Sequence, residues 1–182
     1  MSTSTTIAIV VGSLRKESWN RQFAQALAKL LPPEVATTWV RIDDLPLYNQ
    51  DDDAQPAPQV TRLRQEIKAA SGVLLVTPEY NRSIPGPLKN AIDHASRPWG
   101  QSVWNGKPAA VCGVAGGPIG TALAQQHLRN VLSAQSAPTL PTPEMFIQWK
   151  EGLVVDGEIG PASREFMQKF VDAMLTWFQR QA

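Results

Sequence analysis

The stretch TIAIVVGSLRKESWNRQ, Thr6 to Gln22, decides the fold. Thr6–Val11 is an apolar, β-branched run, the mark of a strand covered on both faces. From Trp19 the pattern changes. Trp19, Phe23, Ala26, Leu27, Leu30 and Leu31 fall at helical spacing, and Pro32-Pro33 stop them. A buried strand thus runs through a short polar loop into an amphipathic helix.

The same unit repeats along the chain. Strands are expected at Thr37–Ile42, Val73–Thr77 and Pro108–Val114, with a weaker fifth at Ala137–Pro141, whose prolines suit only a sheet edge. Helices are expected at Pro58–Ser71, with Gly72 past its end, at Pro87–Ser96, and at Thr121–Ser133. Phe166, Phe170, Met174, Trp177 and Phe178 mark a closing helix. Alternating β and α units predict a parallel sheet with helices on both faces. Five strands suggest the flavodoxin-like order 2-1-3-4-5, in one domain over residues 1–182.

Composition removes several function classes. Lys plus Arg number 17 against 16 Asp plus Glu, which disfavours nucleic-acid binding. The lone cysteine, Cys112, excludes an internal disulfide framework and fits a reducing compartment. One Cys and two distant His make a poor zinc set, and Asp51–Asp53 lacks the spacing and glutamate of an EF-hand, so no metal is expected. MSTSTTIAIVVGS has no basic leader region, and no apolar stretch is long enough to span a bilayer. The expectation is a soluble, cytoplasmic protein with no membrane partner.

In the expected strand order the chain reverses between the first and third strands, and ligands bind outside the carboxyl ends there. Three loops converge on that point: Gly12–Asn20, Pro78–Gly86 and Ala115–Gly120. If Ser18 caps the first helix, the free N–H groups of its first turn make an anion site. Ser13, Ser18 and Asn20 add neutral donors, and Arg15 a charged fork. A terminal phosphate suits this nest. G-x-G-x-x-G and the P-loop motif are both absent. The same residues also suit an ordinary capped helix with solvated cations. In the second loop, Tyr80 offers a stacking face and Asn81 an amide for a planar heteroaromatic ring. The third loop, VAGGPIGT, supplies bare backbone.

GSLRKESWNR, followed by PEYNRSIPGPLKNAIDHASRP, resembles the NADPH-dependent FMN reductase family, in the branch of bacterial chromate and quinone reductases. The resemblance implies an FMN phosphate site at Ser13, Arg15, Ser18 and Asn20. It implies that Pro78, Glu79, Tyr80 and Asn81 line the isoalloxazine, with Ser83 close by. Ala115, Gly116 and Gly117 would pass the flavin by backbone contacts; relatives often carry serine at Ala115.

The expectation is therefore a flavoenzyme. NADPH or NADH reduces FMN, which passes electrons to quinones, with chromate, ferric or azo acceptors as alternatives, by ping-pong kinetics. The flavin carries the chemistry, so no protein residue is expected to be catalytic. A homodimer or homotetramer is expected, with the Pro78–Pro87 loop near an interface. Rival readings are a flavodoxin-like electron carrier, a reductase that releases reduced FMN, and a receiver domain. The last lacks its acidic pocket after the first strand, where Val10-Val11-Gly12-Ser13 stand. His94, His127 and Cys112 read as structural or surface residues. Arg82 and Arg129 read as candidates for subunit contacts or for the NADPH phosphate.

Overall fold

A computed structural model describes residues 5–181. Met1–Ser4, part of the stretch read for a leader, and Ala182 lie outside the described residues. In chain order the elements are β1 Thr6–Val11, α1 Trp19–Ala28, β2 Ala36–Val40, α2 Pro58–Ala69, β3 Gly72–Val76, α3 Gly86–Ala95, β4 Ala109–Ala115, α4 Ala122–Ala134, β5 Phe146–Gln148, β6 Val154–Val155, β7 Glu158–Ile159 and α5 Pro161–Gln181. β1 to β5 form one parallel sheet in the order 2-1-3-4-5. This is the expected flavodoxin-like α/β arrangement.

Strand periodicity distributes the core. Ile7, Ile9 and Val11 of β1 pack with Phe23 and Leu27 of α1 and Phe170 and Phe178 of α5. Their neighbours Ala8 and Val10 face Leu63 and Ile67 of α2, Leu88 and Ile92 of α3, and Leu128 and Leu132 of α4. Side chains two apart share a face, so an unbroken apolar strand feeds both layers. The loops at the carboxyl ends are thereby held on a rigid base.

Two expectations are corrected. The Ala137–Pro141 segment forms no regular strand. It runs beside the lower half of β4 through a single bridge, Ala109 to Thr139. Pro138 and Pro141 have no N–H with which to continue a ladder. The fifth strand is Phe146–Gln148, paired with Gly113–Ala115 at the upper half of β4. Gly72 is not a helix cap but the first residue of β3. A Cβ there would lie 2.4 Å from the Phe178 ring, so the glycine makes room for α5 against the sheet. The sequence reading also missed the β6–β7 hairpin, turned by Asp156 and Gly157 at φ 51° and 73°.

Candidate cofactor site

At the carboxyl ends of β1, β3 and β4, one cleft of about 210 Å³ is lined by Ser13, Arg15, Ser18, Trp19, Asn20, Pro78, Glu79, Tyr80, Val114, Ala115 and Gly116. Nine of the twelve residues expected at a site therefore meet there. Asn81, Ser83 and Gly117 belong to the same loops but do not line the cleft. A larger hollow of about 710 Å³ lies between α2 and the segment Gln101–Lys107. None of the three loops reaches it, so the chemistry of the smaller cleft decides between them.

The first loop ends as its sequence predicts. Ser18 is the N-cap of α1, in an extended conformation, and its Oγ accepts from the Arg21 amide at 3.1 Å. That leaves the first amides of α1 without intrahelical partners, at the positive end of the helix dipole. Ser13 and Ser18 are buried here, and Arg15 is exposed. The Arg15 guanidinium lies 5.5 Å from the centroid of the Trp19 ring. Trp19 in turn stacks on Trp149, with centroids 5.6 Å apart and planes 6° from parallel.

Asn20 has a different task from the one its position suggested. Its Nδ2 donates to the Val114 carbonyl at 3.0 Å, and its Oδ1 accepts from the Val114 amide at 2.9 Å. β3 pairs with β4 only as far as Cys112, so Val114 has outrun its strand neighbour. The buried asparagine stands in for the missing strand and satisfies both backbone groups. One N–H of its amide remains for a ligand. Asn20 thus ties the first loop to the end of β4.

Glu79 ties the second loop to α4. Its Oε2 accepts from the amides of Leu123 and Ala124 at 3.0 and 3.2 Å. These are orphan donors of α4, whose own N-cap residue, Thr121, makes no side-chain cap. A carboxylate from another loop therefore caps the helix, favoured by its dipole. Ser83 Oγ lies 3.0 Å from His127 Nδ1 on the same helix. Tyr80 is half exposed, and its backbone exchanges two hydrogen bonds of 3.0 Å with Ser83. In the third loop a Cβ on Gly117 would meet nothing within 4 Å, so the backbone there is open to close approach. The Gly116 carbonyl is held by Gln148 Nε2 at 3.0 Å.

Cys112, His94 and Arg129 are engaged away from the cleft. Cys112 is wholly buried in β4, and burial pushes its thiol far up. His94 is buried against the Pro46 carbonyl, 2.9 Å from Nε2, with the Tyr48 ring edge-on. Arg129 donates to the Leu140 carbonyl at 2.6 Å, and burial lowers its pKa from the ordinary value. It supports the proline-rich segment beside β4. Asp51 and Asp52 lie in a single 3-10 turn capped by Asn49. Among the described residues no acidic, histidine or cysteine cluster could hold a metal. Nor is any helix among them long and apolar enough to cross a membrane.

The donor set tests what the cleft can hold. Two buried hydroxyls, a free helix N-terminus and an arginine line the cleft together with Tyr80 and the Ala115–Gly116 backbone. This fits a molecule that is a phosphate monoester at one end and a planar ring at the other. Fold and site thus define a flavodoxin-like binder of a phosphorylated heteroaromatic cofactor. Residues 5–151 match the family model described as NADPH-dependent FMN reductase, and the chain belongs to that family.

Similar proteins agree. A 2-hydroxy-1,4-benzoquinone reductase from a Burkholderia species is 50% identical over 174 residues, covering 94% of each chain. A quinone reductase from Pseudomonas putida is 48% identical over 179 residues, 97% of this chain and 96% of its own. The flavoenzyme NAD(P)H:(acceptor) oxidoreductase FerB from Paracoccus denitrificans superimposes with a TM-score of 0.94 at 43% identity, covering 97% of this chain and 98% of that one. The chain is an NAD(P)H-dependent oxidoreductase that uses FMN.

Trp19, which lines the cleft, and Trp149, which stacks on it, escaped the sequence reading in different ways. Trp19 was visible as the first apolar residue of α1. Trp149 carried no local signal, because the β4–β5 pairing brings it beside Trp19: its amide donates to the Ala115 carbonyl at 2.8 Å.

Proposed function

We infer that the enzyme reduces quinones, and that its FMN lies in the cleft described above. The observation that carries this reading is the cleft's mixed lining, an anion nest at α1 together with the Tyr80 ring and the Ala115–Gly116 backbone. Its similarity to proteins named as quinone reductases supports the choice of acceptor. When bound, FMN would supply the redox chemistry that links the reduced nicotinamide to the acceptor.

The protein's own part is placement. Ser13, Ser18, Arg15 and the first amides of α1 hold the phosphate. Asn20 keeps the end of β4 beside that nest. Pro78, Tyr80 and the Ala115–Gly116 backbone wall the ring, and Asn81, Ser83 and Gly117 shape the loops behind them. Glu79 fixes the second loop against α4, which sets the width of the cleft. Alignment of two rings needs no protein nucleophile. Cys112 and His94 are too buried to supply one. Donor and acceptor use this same cleft in turn, which gives ping-pong kinetics. Chromate, ferric complexes and azo compounds are further acceptors of the same kind.

The enzyme works as a homo-oligomer in this reading. Tyr80 beside the cleft and Leu47 and Trp99 elsewhere leave large apolar surface in solvent, 49%, 86% and 88% exposed. Covering it would also exclude water from the reaction. Light scattering of the active protein should give at least twice the monomer mass; a fully active monomer at micromolar concentration contradicts this.

The test of the whole reading is an absorbance spectrum of the purified protein, followed by anaerobic NADPH. Flavin bands that bleach rapidly and return on adding a quinone are expected. Flavin that binds but is not reduced would make the protein an electron carrier. Flavin lost to the filtrate after reduction would make it a source of free reduced FMN.

A further inference from the structure

Arg82 occupies a position where its residue type is costly. Asn81 and Arg82 are the corners of the tight turn between Tyr80 and Ser83, at φ 50° and 67°. Turns with two left-handed corners favour Asn-Gly, because only glycine takes the second corner without strain. An arginine there carries the steric penalty of a Cβ. The fold makes no use of the side chain that would offset it. The guanidinium side chain is 68% exposed, and its ion pair among the described residues is Glu79 Oε1 at 3.5 Å, the limit of a hydrogen bond. Glu79 is itself held by the α4 amides through its other oxygen.

The turn is nevertheless fixed. Glu79 on one side and Ser83 on the other bind α4 at separate points. The turn therefore presents a charged fork from a rigid base, in the loop whose Pro78, Glu79 and Tyr80 line the cleft. Arg129, the other arginine that the sequence left open, is excluded by its bond to Leu140.

We propose that Arg82 is a specificity-determining residue that binds a negatively charged group on the small molecule entering the flavin cleft. A planar guanidinium suits a phosphate or another oxyanion, which it can bind in bidentate fashion. Two sources share that chemistry: the 2′-phosphate of NADPH, and the ionised hydroxyl of a hydroxyquinone. The proposal rests on the reading of the cleft as the FMN site.

Arg82→Gly tests it without threatening the turn, since glycine relieves the corner. KM would be measured for NADPH and NADH, and for an ionised 2-hydroxyquinone and a neutral quinone of the same size. Loss of one charge-assisted contact should raise KM about tenfold for the charged member of one pair, with kcat and the uncharged member unchanged. A rise for NADPH alone assigns the phosphate; a rise for the hydroxyquinone alone assigns the acceptor. Arg82→Lys should restore part of the loss. Equal shifts within both pairs, no shift in either, or a changed oligomeric mass with unchanged KM would overturn the proposal. FMN content is measured on the same samples. Wild-type protein that binds no FMN would instead break the underlying assignment of the cleft.

Discussion

Asp156–Gly157 and Asn81–Arg82 each place two consecutive residues at positive φ between antiparallel partners. The first turn joins β6 to β7 and ends in glycine, which accepts this backbone freely. The second sits beside the cleft and ends in arginine, which does not. Where a turn only has to connect, the chain uses the residue that costs least. At the cleft it keeps a strained residue whose side chain points to no partner strong enough to explain it. The same contrast runs through the first loop. Asn20 looks like a ligand donor but spends two hydrogen bonds on Val114, whereas Arg15 makes no ion pair among the described residues.

This division between residues that hold the fold and residues that hold the ligand can be broken by substitution. The largest effect should come from Asn20→Ala. It leaves the buried amide and carbonyl of Val114 unpaired, at about 1–2 kcal/mol for each group, within the range for an unsatisfied buried group. Urea unfolding should show a loss of about 2–4 kcal/mol, and affinity for FMN and riboflavin should fall together. A variant of unchanged stability would show that Asn20 is not structural.

Arg15→Ala should do the reverse. Removing a charge-assisted contact of about 1.5–3 kcal/mol weakens FMN binding roughly 10- to 100-fold. Riboflavin, which has no phosphate, should bind as before, and the urea midpoint should not move. Equal losses for the two ligands in titration calorimetry would remove the phosphate from this end of the cleft.

The smallest effect compares the turns directly. Gly157→Arg should cost about 1–2 kcal/mol through left-handed strain. Arg82→Gly should change stability by less than about 1 kcal/mol, in the stabilising direction, because glycine's greater chain entropy offsets part of the relief. Thermal melts of both variants would show the opposite signs. Destabilisation by Arg82→Gly would mean that the arginine serves the fold after all.

How far the sequence revealed this is set by the range of each interaction. Unbroken apolar strands and helical spacing are local patterns, and they placed β1, β3 and β4 and the loops that follow them. Ser18 as N-cap is also local, since its partner is Arg21. The roles of Asn20 and Glu79 were hidden because their partners lie 94 and 44 residues away. Gly72 was misread for the same reason: its neighbour Phe178 is in the last helix. The fifth strand was displaced because Pro138 and Pro141 break the ladder where apolar residues suggested one. The Asp156-Gly157 signal was in the sequence, but strands of two residues each have no period to detect.

The central claim is that the protein aligns its cofactor and substrates and contributes no acid, base or nucleophile of its own. Glu79 is the one carboxylate among the cleft-lining residues, and its bonds to α4 assign it to positioning. Stopped-flow reduction of the flavin by NADPH in Glu79→Gln, at full FMN occupancy, tests this most directly. The amide oxygen can still accept from Leu123 and Ala124, so the rate should stay within about tenfold of wild type, well short of the 10²–10⁴-fold loss typical of a missing general acid or base. An abolished reduction rate with FMN still bound would contradict the account.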